Sequence, residues 1–267
     1  GRGGVSRIRI ATRGSDLALV QARHIASRIE KELGLDSELV VLSTTGDRIL
    51  DRPLAKIGGK GLFIKEIEEA LLDGRADLAV HSAKDMPARL VAGCEIAAYP
   101  EREDPRDALC ARERGMTLED LPEGARVGTG STRRHALLLR VRPDLEIVPL
   151  RGNVATRLAK IESEGLDRLG YSHRIDERIA PEVMLPAVGQ GMLALETVSG
   201  GEWTARIATL EPKETGMVAR AERAFQARLG GDCSVPLAGF AEPTEEGGVY
   251  FRGLVSSLDG RTVAESE

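Results

Sequence analysis

Segments typical of strands and segments typical of helices alternate along the first hundred residues. Residues 7–11 alternate apolar and polar side chains, as a half-buried strand does, and residues 39–42 and 76–81 are two further strand candidates. Between them, apolar side chains recur at helical spacing, first up to Leu33 and then over residues 61–72. This order predicts an α/β domain with a mostly parallel sheet and crossover helices.

The same alternation restarts after a cluster of acidic residues and a proline at residues 101–107. Strands are predicted at residues 107–111, 125–129 and 146–150. Helices are expected to begin at Ser131 and near Asn153. This pattern indicates a second α/β domain.

The C-terminal part of the chain has a different character. Residues 192–196 form an apolar strand candidate that we assign to the first domain. A helix at 215–229 and short strands at 237–241 and 249–254 predict a small α+β domain. The predicted domains are therefore residues 5–100 with 192–217, residues 105–191, and residues 218–267.

Charge is unevenly distributed along the chain. The net charge is −5, yet residues 126–174 contain ten Lys or Arg and only five acidic residues. A basic segment in an acidic protein favours a local anion site over a polyanion-binding surface. Aromatic residues make up 3% of the chain, too few to supply stacking platforms for nucleic acid, so no nucleic-acid partner is expected.

Cations and small polar residues follow four of the predicted strands, each just before a helix. Free N–H groups at a helix N-terminus bind anions, and an adjacent arginine adds a bidentate carboxylate contact. Four such junctions in two domains predict a cleft for a polyanionic small molecule, although any single arginine could be a solvated surface charge. The junction residues are Arg13 and Ser15; Lys84 and Asp85; Thr129, Ser131, Arg133 and Arg134; and Arg151, Gly152 and Asn153.

Asp85 is the best candidate for an acidic group in the cleft. It follows a buried-looking strand and lies in a turn before Pro87, beside Lys84. An ordinary turn aspartate explains it equally well on local grounds. We interpret His81 as a structural residue at a strand end, and His24 and His173 as surface residues.

Several common site patterns are missing from the sequence. Residues 127–131 do not have the spacing of a phosphate-binding loop or of GxGxxG. The histidines show no metal-ligand spacing and no GxSxG motif occurs, so neither a metal site nor a serine hydrolase is predicted. The glycine-rich residues 56–61, which include Lys60, could form a loop that closes over a site.

The three cysteines lie in different contexts. Cys110 reads as a buried small hydrophobe, and Cys94 lies near a turn, where it is structural or exposed. Cys233 lies on a glycine-rich loop, where a thiol is either a nucleophile or attachment point or an unremarkable loop residue. Three cysteines and no secretory signal or membrane-spanning run predict a cytoplasmic protein.

The ordered set of motifs resembles the porphobilinogen deaminase family. The resemblance runs from about Arg7 to Phe240 and is specific because many short motifs occur in the same order. They are ATRGS at 11–15, KIGGKGLF at 56–63, VHSAKDMP at 80–87, GTGSTRR at 128–134, LRGNVATR at 150–157, LPAVGQG at 185–191 and the Cys233 loop.

This resemblance implies a fold, a cofactor and a reaction. It implies two α/β domains similar to type II periplasmic binding proteins, with a central cleft, and a small α+β C-terminal domain. A dipyrromethane cofactor is expected on Cys233 through a thioether. The implied activity joins four porphobilinogen molecules head to tail, with loss of ammonia, into hydroxymethylbilane for tetrapyrrole biosynthesis. A monomer is expected.

The resemblance also assigns roles to individual residues. It implies that Asp85 is the catalytic carboxylate, with Lys84 beside it. The residues implied to contact the cofactor are Arg13, Ser15, Lys84, Asp85, Thr129, Ser131, Arg133, Arg134, Arg151, Gly152 and Asn153, with Cys233 bound covalently. The residues implied to contact the substrate are Arg13, Gln21, Lys60, Phe63, Arg151, Arg157 and Arg168.

The sequence departs from the family pattern, and two other functions remain open. Between Gly165 and Leu166 the family carries about a strand's worth of further residues, whose absence would delete a core strand of the second domain. Asp232 precedes Cys233 where glycine is commoner, and its charge disfavours the thiolate. The alternatives are a non-catalytic protein that binds a small anion in the same cleft and a Rossmann-type nucleotide enzyme, which the missing fingerprint opposes.

Overall fold

The computed structural model describes residues 7–45, 61, 63–150, 152, 154–159, 172–230 and 235–267. Its strands are β1 (Ile8–Arg13), β2 (Ser37–Leu42), β3 (Leu78–Ser82), β4 (Cys94–Ala98), β5 (Asp107–Leu109), β6 (Arg126–Gly128), β7 (Glu146–Val148), β8 (Glu177–Ile179), β9 (Leu193–Val198), β10 (Leu237–Pro243), β11 (Val249–Ser256) and β12 (Val263–Ser266). Its α-helices are α1 (Asp16–Arg28), α2 (Lys65–Leu72), α3 (Thr132–Val141), α4 (Val154–Ala159), α5 (Thr204–Ala208) and α6 (Lys213–Arg228). The α/β class predicted from the sequence is confirmed.

A five-stranded sheet in the order β2-β1-β3-β9-β4 forms the centre of the first part of the chain. Strands β2, β1 and β3 are parallel, whereas β9 runs antiparallel to both β3 and β4. Four of the five strands, β2, β1, β3 and β4, therefore run in the same direction, so the predicted mostly parallel sheet is confirmed, and β9, which returns from residues 193–198, is the one strand of this sheet that runs the other way. Its assignment to this sheet is correct.

Helix α1 packs on this sheet through one apolar face. Ile25 of α1 and the following Ile29 are fully buried against Ile8, Ile10 and Leu78 of the sheet. The helix passes into a π-helical turn at Ile29–Leu33 and stops at Gly34, whose φ of 64° favours glycine. The helix end predicted at this glycine is confirmed.

Two elements in the first part of the chain differ from the prediction. Strand β4 was not predicted, although its first residue, Cys94, follows a turn and is buried, which agrees with the structural role offered for this thiol. Helix α2 begins at Lys65, four residues after the predicted start at Gly61. Short strands and the first turns of helices carry the weakest periodic signal, which accounts for both errors.

Two separate two-stranded sheets occupy the described part of residues 105–191. Strands β5 and β8 pair antiparallel, and β6 and β7 pair parallel. The C-terminal part is a three-stranded antiparallel sheet in the order β10-β11-β12, against which α6 packs. Leu137, Leu138, Phe240 and Leu254 share one buried apolar cluster that joins these two parts.

Candidate active site

The end of β1 and the start of α1 form one wall of a small cavity. Arg13 is the last residue of β1, and the Ser15 side chain caps α1 by accepting a hydrogen bond from Ala18 N at 3.3 Å. One turn into α1, the buried Gln21 donates to Ser82 Oγ, at the end of β3, at 3.1 Å. The carboxyl ends of the parallel strands β1 and β3 therefore meet here, as the sequence predicted.

The cavity has a volume of about 60 Å³ and contains several of the predicted site residues. The guanidinium carbon of Arg13 lies 4.3 Å from the centre of the Phe63 ring, a cation–π contact that holds the arginine at the rim. A carboxylate, a guanidinium and two hydroxyl groups thus line one small space. The predicted residues at its wall are Arg13, Ser15, Gln21, Phe63 and Asp85, together with the unpredicted His81 and Ser82.

A short 3-10 turn, Ala83–Asp85, carries the half-buried Asp85. Ala83 N donates to Met192 O at 2.9 Å, which fastens the turn to the segment before β9. In the same segment Gly189 has a φ of 75°, and a Cβ there would lie 2.9 Å from the carbonyl carbon of Ala83. Only glycine permits this close approach, so the LPAVGQG motif helps to position Asp85.

Behind Asp85, strands β3 and β9 bury an imidazole and a carboxylate. His81 Nε2 lies 2.8 Å from Glu196 Oε2, and the Glu196 side chain has no exposed surface. Glu68 of α2 lies beside this pair, and its pKa is raised by burial first and by the charge of Glu196 second. The interpretation of His81 as a strand-end residue is correct, but it missed the buried carboxylate that holds the ring.

The arginines at the start of α3 are in different surroundings. Arg133 and Arg134 are 5% and 7% exposed, and both bind the buried Asp107 at the start of β5. Arg133 makes two contacts with Asp107 at 2.7 and 2.9 Å, and Arg134 Nε makes one at 2.9 Å. Burial alone would raise the pKa of Asp107, but the two guanidinium groups outweigh it and hold the pKa well below its ordinary value.

Gln190 completes this buried cluster. Its side-chain nitrogen donates to Asp107 Oδ1 at 3.1 Å and to Pro105 O at 2.7 Å, and its oxygen accepts from Arg133 at 3.3 Å. Arg133 Nε is buried and has no hydrogen-bond partner among the residues described, so one donor of the cluster is left over. Gln190 lies in the LPAVGQG motif, but the sequence predicted no role for Gln190 or for Asp107.

Other predicted residues on this side lie close to the same helix or outside the described residues. Ser131 caps α3 by accepting from Arg134 N at 3.3 Å, and the buried Thr129 Oγ1 accepts from Ser131 N at 3.1 Å. Arg157 of α4 donates to Gly152 O at 2.8 Å. Lys60, Arg151, Asn153, Arg168 and Cys233 lie outside the described residues.

The Cys94 thiol is buried beside two carboxylates. Burial and the neighbouring carboxylates Glu196 and Glu68 raise the pKa of Cys94 to about 12, so this thiol stays protonated. Within the described ranges, no group of three or more His, Cys, Asp or Glu side chains is arranged to hold a metal ion. No helix in those ranges has the length and apolar character needed to span a bilayer.

Comparisons with known proteins match nearly the whole chain. Residues 8–206 match the family model "Porphobilinogen deaminase, dipyromethane cofactor binding domain", and residues 217–267 match "Porphobilinogen deaminase, C-terminal domain". The porphobilinogen deaminase of Syntrophus aciditrophicus is 52% identical, over 97% of this chain and 88% of that protein. That of Syntrophotalea carbinolica is 51% identical, over 96% and 84%.

The alignment to the Syntrophus protein spans 275 positions, more than the 267 residues of this chain, so that relative carries residues that this chain lacks. Among solved structures, the periplasmic VFT2 domain of BvgS from Bordetella pertussis is similar at 13% identity and a TM-score of 0.43, over 84% of this chain and 93% of that one.

Proposed function

The chain belongs to the porphobilinogen deaminase family, and on that premise we propose that it joins four porphobilinogen molecules head to tail into hydroxymethylbilane, with loss of ammonia at each coupling. The observation that carries this proposal is the shared cavity of Asp85 and Arg13. A carboxylate that faces a reacting pyrrole and a guanidinium that faces its acid side chains are what this chemistry requires.

The residues around the cavity fit the dipyrromethane cofactor of the family. Such a group bears acetate and propionate carboxylates as well as pyrrole N–H donors. Arg13 supplies a cation, Ser15 and Ser82 supply hydroxyl groups, and Asp85 supplies an acceptor. When bound, the cofactor supplies the nucleophilic pyrrole carbon to which the first substrate is joined.

Asp85 performs two tasks in the proposed mechanism. Loss of ammonia from porphobilinogen leaves a cationic azafulvene, and a fixed carboxylate near its pyrrole nitrogen stabilises that positive charge. After the new carbon–carbon bond forms, the pyrrole α-carbon must lose its proton, and Asp85 is the acceptor. Arg13 orients the acid side chains, and its contact with Phe63 restricts its motion.

The remaining assignments are part of the same proposal. Lys84, Thr129, Ser131, Arg134, Arg151, Gly152 and Asn153 are proposed to contact the cofactor, and Gln21, Lys60, Arg157 and Arg168 the substrate. The three-domain division is supported by the membership of β9 in the first sheet and by the separate sheet of β10, β11 and β12. We further propose a cytoplasmic monomer, whose mass light scattering would measure.

The intact mass of the purified protein tests the proposal. We expect the wild type to carry one dipyrromethane, Cys233→Ser to lack the adduct and the activity, and the control Cys94→Ser to keep both, because Cys94 is a buried, protonated thiol. A folded wild type without adduct or activity would instead favour the anion-binding protein. An adduct that persists in Cys233→Ser would refute the attachment site.

A further inference from the structure

The ring of His81 is held in one tautomer by Glu196. Its Nε2 lies 2.8 Å from Glu196 Oε2, and an ionised carboxylate can only accept a hydrogen bond. Nε2 therefore carries the proton in the neutral ring, and Nδ1 is the nitrogen that can accept one. This arrangement of an imidazole and a buried carboxylate is the one that stabilises an imidazolium after it takes up a proton.

The second carboxylate oxygen of Glu196, Oε1, lies on the side of Glu68. Glu196 Oε1 is buried and accepts no hydrogen bond from an N–H or hydroxyl group in the described ranges. Glu68 lies beside it, and burial and the charge of Glu196 raise the pKa of Glu68. When Glu68 is protonated, its hydroxyl group can donate a hydrogen bond to this oxygen. Glu68 also accepts from Val91 N at 3.3 Å, towards the surface.

Three other titratable groups face His81 and Glu196: Cys94 from β4, and Arg13 and Asp85 from the cavity. Cys94 on β4 stays protonated, since burial and the two carboxylates raise its pKa to about 12. On the open side, the charged groups that line the cavity with His81 are Arg13 and Asp85. At about 60 Å³ the cavity has room for a few water molecules, so His81 can exchange protons with Asp85 through water.

Each coupling releases one proton that Asp85 cannot keep. A carbon–nitrogen bond of the aminomethyl group breaks, a carbon–carbon bond forms, and the α-carbon of the accepting pyrrole loses its proton. The aminomethyl group enters as an ammonium and leaves as ammonia before the new bond forms, so the α-proton is the positive charge that remains to be released to solvent, and protons and charges balance. Asp85 must return to its ionised form before it can stabilise the next cation.

We propose that His81, oriented by Glu196, takes the α-proton from Asp85 after each coupling and releases it to solvent. Glu196 is then a positioning residue that acts through His81, and neither side chain needs to touch the substrate. This inference rests on the role proposed for Asp85. It gives a function to the only buried imidazole–carboxylate pair in the part of the chain that the structure describes.

Glu196→Gln is the most direct test, because it keeps the size and a hydrogen-bond acceptor but removes the charge. We expect kcat to fall by about 10-fold, with KM and cofactor content unchanged. The pH profile of kcat should also differ from that of wild type, because the carboxylate that orients the His81 ring has lost its charge. Glu68→Gln, which retains a donor towards Glu196, is the matched control and should stay within about 2-fold of wild type.

A second measurement does not depend on activity. The ¹⁵N chemical shifts of His81 should show a neutral ring protonated at Nε2 in wild type. A ring protonated at Nδ1, or a Glu196→Gln pH profile that superimposes on wild type, would overturn the proposal. Asp85→Asn separates this outcome from failure of the proposed function. If Asp85→Asn is inactive while Glu196→Gln is normal, only the His81 role is wrong. If both are fully active, the role of Asp85 is wrong as well.

Discussion

Arg13 ends strand β1 just before α1, and Arg133 lies in the first turn of α3 after β6, so both belong to a strand-to-helix junction, but their surroundings differ. Arg13 stands half-buried at the rim of the cavity and contacts the face of Phe63. Arg133 is buried and bound to Asp107, Leu185 O and Gln190. A cation at a strand end can thus face a ligand or neutralise an internal carboxylate, and only the tertiary partner distinguishes the two.

If Arg133 serves to neutralise an internal carboxylate, Asp107→Asn should have the largest effect on stability. Removing one partner of a buried ion pair leaves two guanidinium groups without their counter-charge, so the free energy of unfolding should fall by about 3–5 kcal/mol. Urea unfolding of wild type and variant measures it. The matched control is Glu265→Gln, which removes the exposed carboxylate of a surface pair with Arg140 and should cost less than about 1 kcal/mol.

The same pair of proteins gives a pH test with a definite sign. Because the folded-state pKa of Asp107 lies below its ordinary value of 3.8, its stabilisation is present above that pH and is lost as the pH falls through the folded-state pKa. Asparagine does not titrate. The stability difference between wild type and Asp107→Asn should therefore shrink in increasingly acidic buffer, and a constant difference would show that Asp107 is not ionised in the fold.

These long-range partners also mark the limit of what the sequence predicted. The strand ends predicted that Arg13 and Asp85 lie together. Periodicity, a local signal, identified β1, α1 and β9 but missed β4, β8, β12 and α5. It could not find the pairing of His81 with Glu196, which are 115 residues apart, or that of Arg133 with Asp107. The antiparallel direction of β9 was missed for the same reason, since a strand pattern carries no direction.

On the cavity side, Asp85→Asn should reduce kcat by about 100-fold or more, equivalent to about 2.7 kcal/mol of transition-state stabilisation. The midpoint of thermal unfolding should stay unchanged, because Asp85 is half-buried in a turn that backbone contacts fasten. Steady-state assay and calorimetry measure the two quantities, with the exposed Asp73→Asn as control. A variant with near-normal kcat would remove Asp85 from the mechanism.

A smaller effect, on substrate binding and not on stability, is expected from Arg13→Gln. Loss of one carboxylate contact should raise KM by about 10-fold, or about 1.4 kcal/mol, and leave the free energy of unfolding nearly unchanged. The comparison with Arg133→Gln is the test, since that variant should unfold more easily. If Arg13→Gln were instead the less stable of the two, the distinction between rim and interior arginines would fail.

The LPAVGQG segment brings these two regions into contact through consecutive residues. Gly189 lies against the turn that carries Asp85, its backbone N–H binds Glu222 of α6, and the next side chain, Gln190, binds Asp107. Two consecutive residues, Gly189 and Gln190, therefore anchor three parts of the chain. A bulkier residue at position 189 would strain all three anchorages simultaneously, so its damage to turnover and to folding would be inseparable.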